Sequence, residues 1–448
     1  MRKRSYLCLS LLCLVGTVAV SGQINREDAT KVIPVKWKSI KAHKPGKDEA
    51  QCRRLLSNAI RYNMAWIEQS LPKDSLRGMY VLKKYDEQGV RPSASVCFAA
   101  AVALKCTKMN EREMGISRRE AFARTIALVK GVAAAYKANR DDGKGWGDVW
   151  QSAHWAALAG QGAWLLWEEL DSETQRQAQT MVTAEAARFI RPDYRVPYWT
   201  ASDGHVNTPG DTKAEENAWN AGILLLAMAM MPEHPQFDAW KRVANELLLS
   251  SYALESDLRN DQTVDGKPVK DWLKGYNVRD DGAVVNHNLV HPDYTTAVTL
   301  KTRSYVIQPF AAQPVLAASD LNLPFIYRSM VEQVWTSPPY EPPGSAMYIP
   351  GKAEVYYPQG TDWSKFRFDI YYLMDVGAHV FGWDDGLKHK AVDWMRIRAD
   401  KIEAMQARHS NGSLFAKGEF ETYPGCEQMT AWVLADAWLF FRLHTGKR

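Results

Sequence analysis

Apolar residues recur at a helical spacing from one end of this chain to the other. Apolar and polar residues nowhere alternate for long enough to build a large sheet. Helical runs are expected near Cys52–Ser70, Ala94–Cys106, Arg118–Ala138, Asp148–Leu170, Glu173–Ile190 and Ala214–Met231. Others follow near Phe237–Ser256, Thr295–Ser319, Leu323–Val334, Phe366–Phe381, Leu387–Arg408 and Glu427–His444. Ser117-x-x-Glu120 and Asp171-Ser172-x-x-Gln175 resemble capping boxes at two of the starts. Pro and Gly gather between helices, at 191–210, 337–351 and 423–425. These segments carry aromatics rather than the Ser, Gln and Glu of linkers, so they read as ordered loops.

A dozen helices in succession without a linker predict helical hairpins that close into a ring. The expected fold is all-α, an (α/α)6 or (α/α)7 toroid, in one domain over residues 23–448. No short repeat of tetratricopeptide or ankyrin type is present. Inner helices of such a ring pack on both sides and must be apolar all round. Trp155–Trp164 and Ala221–Met231 fit that requirement. A ring of this kind leaves a central cleft in which a chain-like ligand can lie.

The first 22 residues read as a signal peptide. Arg2, Lys3 and Arg4 precede an apolar stretch from Tyr6 to Val20, and Ala19, Ser21 and Gly22 supply the small residues of a cleavage site. The stretch is too short for a membrane span, so the expected location is secreted or periplasmic. Of 56 basic and 51 acidic residues, three basic ones leave with the signal. The resulting 53 against 51 gives no argument for nucleic acid. The remaining Cys52, Cys97, Cys106 and Cys426 lack the spacings of a zinc site or a disulfide scaffold. Buried thiols are expected, and the chain is expected to act as a monomer. The 17 Trp and 19 Tyr favour a carbohydrate ligand, because indole and phenol faces stack on sugar rings.

The segment Arg279–Tyr294, RDDGAVVNHNLVHPDY, concentrates chemistry. Its Asn, His and Tyr residues suit abstraction of a carbon-bound proton beside a carboxylate. A polar loop with Asp293 as a helix cap would look the same. Asn217 and Asn220 are three apart at a helix start, where amides can meet an anion, and Trp219 adds a stacking face. An acidic first turn at Glu215 and Glu216 satisfies the same positions. Trp146, Trp150 and Gln151 suit a sugar subsite, as do Tyr356, Tyr357 and Trp363. His154 reads as a hydrogen-bonded core residue. Arg303 offers a planar fork for a carboxylate or for a structural ion pair.

Asp281-Gly282-Ala-Val-Val-Asn286-His287 resembles the DGSFxxH-type segment of toroidal polysaccharide lyases acting on hyaluronan and chondroitin. The whole chain, helical and without a β-rich tail, is similar to polysaccharide lyase family 38. That resemblance implies a carbon–oxygen lyase cleaving a 4-linked uronic acid polymer, such as glucuronan or alginate, by β-elimination. It implies an anionic polysaccharide as substrate, with neither metal nor cofactor. Asn217 or Asn220, with Arg303, would neutralise the uronate carboxylate. His287 or Tyr294 would take the C5 proton, and Tyr294 would protonate the leaving oxygen. Asn288 and His291 join Trp146, Trp150, Gln151, Trp219, Asn220, Tyr357 and Trp363 as expected substrate contacts. The His287-to-Tyr294 spacing of seven is shorter than in the hyaluronan lyases, so His291 stays a second candidate base. Two other readings stand beside this one. A toroidal glycoside hydrolase would draw paired carboxylates from Asp148, Glu216, Asp362 and Glu427. A helical glycan-binding protein would use the same aromatics without turnover.

Overall fold

The computed structural model describes residues 31–41, 43–107, 109–420 and 423–444. The stretch read as a signal peptide lies outside the described residues. Among the described residues, twelve helices of nine residues or more carry the fold. They are α1 (Lys47–Ser70), α2 (Val90–Lys105), α3 (Arg118–Ala134), α4 (Ser152–Leu165), α5 (Ser172–Arg188) and α6 (Ala214–Met230). The second half holds α7 (Phe237–Ser251), α8 (Arg303–Ala311), α9 (Leu323–Glu332), α10 (Phe368–Phe381), α11 (Ala391–Gln406) and α12 (Cys426–His444). Among the described residues, strands are confined to four two-stranded antiparallel pairs of two residues each.

Helices alternate between two environments along the chain. The even-numbered ones form an inner set. α2 packs on α4, α4 on α6, α6 on α8 and the 3-10 turn before it, α8 on α12, and α12 back on α2, with α10 against α12. The odd-numbered ones lie outside: α1 against α12 and α11, α3 against α2 and α5, α7 against α6, and α11 against α10. Sequence explains the division. Every residue of α4 is buried, and of α6 only Glu216 is not. Neither helix has a polar face to give to water. Small residues let the inner set approach closely: a Cβ at Gly162 would lie 2.5 Å from the Cys97 carbonyl oxygen. α1 and α7 instead bury one face each. One contiguous apolar core runs from Val32 to Phe441.

The expected run Thr295–Ser319 is not one helix. It divides into a turn of α-helix at Pro292–Thr296, a 3-10 segment at Ala297–Thr302, and then α8. Threonine hydroxyls explain the break. Thr295, Thr296, Thr299 and Thr302 each bond a carbonyl three or four residues back, which competes with regular helix geometry. The run expected from Asp148 starts four residues later, at Ser152, because Asp148 itself takes a positive φ of 53°. The four cysteines outside the signal stretch are free. Among the described residues, no helix is long and apolar enough to cross a membrane.

Candidate functional site

A cleft of about 450 Å³ opens where the inner helices begin. Arg91 of α2, Gln151 and His154 at α4, Glu215 and Trp219 of α6, Arg367 before α10, and Met429 and Trp432 of α12 all line it. The inner set therefore points its N-terminal ends at one place.

One wall is a hairpin. Strands Val285–Asn286 and Leu289–Val290 are joined by His287 and Asn288, with φ of 52° and 63°. Two consecutive positive φ values make the tight primed turn that suits the twist of paired strands. Neither residue is glycine, so the turn stores strain of about 1–3 kcal/mol per residue, which surrounding contacts must hold. They do: Asn288 N–H donates to the Gly210 carbonyl at 2.9 Å, and Thr212 N–H to the Val285 carbonyl at 2.9 Å. Gly210, at φ 72°, is required there, because a Cβ would fall 2.0 Å from Asn288 Oδ1. The result holds His287 out over the cleft, its side chain 42% exposed.

Asp362 faces the hairpin from the loop before α10. Its Oδ2 lies 2.7 Å from His287 Nδ1, and its Oδ1 lies 3.1 Å from His291 Nε2. Burial pushes the Asp362 carboxyl up, but the hydrogen bonds with His291 and His287 outweigh it and hold the group below its ordinary range. The Tyr294 hydroxyl is 3.2 Å from His287 Nε2. Burial, followed by the charges of Glu215 and Asp362, pushes that phenol well up. His291 is fully buried, and its Nδ1 lies 3.9 Å from Asp293 Oδ2. Asp293 Oδ1 in turn accepts from the Tyr371 hydroxyl at 2.5 Å and the Tyr357 hydroxyl at 3.3 Å.

Glu215 is the second carboxyl of the cleft with a displaced titration. Burial dominates and pushes it up to about 8, with Glu216 and Asp211 adding to the shift. Asn286 Nδ2 donates to its Oε1 at 3.2 Å, and Oε2 has no partner. Aromatic rings edge the opening. Trp150 is 55% exposed, meets Trp219 edge to face at 5.4 Å, and donates its indole N–H to Glu216 at 3.1 Å. Trp363 leans on Tyr294 at 5.2 Å. Burial drives His154 down to about 3, with Arg303 and Arg91 adding to it, so its ring is neutral against Trp432.

Of the residues expected from the sequence, Trp150, Gln151, Trp219, His287, Tyr294, Asp362 and Trp363 line this cleft, and His291 supports it through Asp362. The others do not reach it. Asn217 is fully buried and ties Pro197 and Ser250, at 2.9 and 3.0 Å, to the start of α6. Asn220, one turn on, is also buried. Trp146 is buried against Tyr136 and Trp155 and donates to the Val132 carbonyl. Asn288 locks the hairpin onto Gly210, and Tyr357 is buried on Asp293. Arg303 corrects its expected role: it is buried, bound to Asp436 and Gln161, and so cannot take up a substrate carboxylate. Among the hydrolase candidates, Asp148 is bound to Lys137, Arg188 and Arg191. Glu427 accepts from the Leu414 and Phe415 backbone. Glu215 was missed. Its signal is the four-residue spacing to Trp219, which puts a carboxyl on the aromatic face of α6.

No protein-family model and no curated protein matches this chain. Solved structures that do match include a glycosidase carrying a glutamate-to-alanine substitution, and a second such glycosidase variant in complex with glucose. Each is 14% identical, with 89% of this chain and 98% of that chain covered, at a TM-score of 0.39. Both names are those of hydrolases. The expected carbon–oxygen lyase is corrected on the site itself: Arg303, the cation it assigned to the uronate carboxylate, is committed to Asp436 and Gln161.

Proposed function

We propose that this chain is a glycoside hydrolase, with its twelve helices forming an (α/α)6 toroid around a glycan-binding cleft. One observation carries the reading. A buried carboxyl kept protonated at neutral pH, Glu215, shares a cleft with an exposed carboxylate, Asp362, whose oxygens are held by two imidazoles. Two carboxyl groups whose environments push them to opposite protonation states are the pattern of paired acid and base. Glu215 gives its proton to the leaving glycosidic oxygen as the bond to the anomeric carbon breaks. Asp362 supplies the electron pair on the other side, by attacking that carbon or by taking a proton from the attacking water. Trp150, Trp219 and Trp363 provide faces for sugar rings.

The test is a panel of neutral and uronate-containing polysaccharides. New reducing ends should appear without the ultraviolet absorbance of an unsaturated uronate, and Glu215→Gln should abolish them. Absorbance rising in step with chain breaks would overturn the reading. So would stoichiometric glycan binding with no product.

A further inference from the structure

We propose that His287, His291 and Asp362 form a binding site for a divalent transition metal of the zinc class. The ligand atoms of the three side chains all lie within 4.8 Å of one another. The two closest pairs are His287 Nδ1 with Asp362 Oδ2, 2.7 Å, and His291 Nε2 with Asp362 Oδ1, 3.1 Å. A tetrahedral ion with ligand bonds near 2.0–2.1 Å wants its ligand atoms roughly 3.3 Å apart. Small rotations of Asp362 and His287 meet that demand, since their side chains are 49% and 42% exposed.

The buried side of the cluster has the arrangement that supports a metal-bound imidazole. His291 Nδ1 and Asp293 Oδ2 are both buried and both without a hydrogen-bond partner, and they face each other at 3.9 Å. An ion on Nε2 would leave Asp293 as the carboxylate that faces the far nitrogen of a metal-bound imidazole and orients it. Tyr371 and Tyr357 fix Asp293 for that task.

Two imidazoles and one carboxylate select zinc, cobalt or nickel over calcium or magnesium, which want oxygen ligands. Three protein ligands beside an open cleft leave a fourth position free. This inference does not rest on the hydrolase reading. The two meet at Asp362: an ion that takes its lone pairs removes it from bond cleavage, so zinc should inhibit.

Binding is measured directly on the full chain after chelator treatment, with any affinity tag removed. Titration calorimetry with zinc chloride should give one ion per chain, and cobalt should give the visible spectrum of a four-coordinate ion. Calcium and magnesium should give neither. His287→Ala with Asp362→Asn, both at exposed side chains, should abolish the cobalt spectrum while thermal unfolding stays cooperative. Asp293→Asn should weaken zinc by about 10–100-fold, as the loss of an orienting carboxylate does. No single-site zinc binding, or binding undiminished in the His287/Asp362 double variant, would overturn the proposal. Hydrolysis of a glycan is read separately, so either proposal can fail alone.

Discussion

The Asn286 amide donates to Glu215 Oε1 at 3.2 Å, and Glu215 Oε2 is left without a partner. The amide thereby decides which oxygen of the buried carboxyl accepts and which carries the proton. Glu215→Gln keeps the shape and removes the acid. It should lower the turnover of a cleaved glycan by about 10²–10⁴-fold, the ordinary worth of a positioned acid or base. The melting temperature should change little. A loss under tenfold in initial-rate assays would take the acid role from Glu215.

Stability should carry the mark of the same group. Glu215 rises from 4.5 to about 8 on folding, so the folded state holds the proton more tightly than the unfolded one. The stability this contributes is complete below its unfolded value and is gone once the pH has risen through about 8. Urea midpoints measured across that window should fall with pH in the native chain. The fall should be shallower in Glu215→Gln, which has nothing to titrate there.

Two tryptophans separate binding from folding. Trp150→Ala removes an exposed ring and should raise KM two- to tenfold, in line with about 0.5–1.5 kcal/mol for an aromatic contact, without a change in unfolding. Trp146→Ala empties a buried site and should cost about 3–5 kcal/mol in chemical denaturation. A Trp146→Ala protein of native stability and weakened glycan affinity would restore Trp146 to the subsite.

Arg303→Met tests the ion pair beneath the cleft. It leaves Asp436 buried without its cation, which typically costs about 3–5 kcal/mol. The loss should appear in denaturant melts. The double change Arg303→Met with Asp436→Leu should recover much of it, because no uncompensated charge remains. Native stability in Arg303→Met would show the pair to be dispensable.

The helices were legible because a 3.6-residue period is local information. Their ends shifted where side chains competed for the backbone, as the threonines before α8 do. His287, His291 and Tyr294 were legible as a group because one hairpin and one helical turn keep neighbours in sequence together in space. Arg303 was not legible, because its partner Asp436 lies 133 residues further on and no local pattern reveals it. Asn217 and Tyr357 failed for the same reason, each being committed to distant groups. Glu215 hid in an acidic first turn that helix capping explains equally well.

The return of α12 onto α2 sets a condition on synthesis. Trp432 and Asp436 line the cleft from a helix made after nearly all of the chain, while Arg91 lines it from one made near the start. As the nascent chain emerges, the first eleven helices can pair with their neighbours, yet the binding surface lacks a side until Cys426–His444 arrives. Until then the apolar flanks of α1 and α2 that α12 covers are open to water. Contacts of such wide sequence separation form late, so a ribosome-stalled chain lacking α12 should depend on chaperones and bind no glycan.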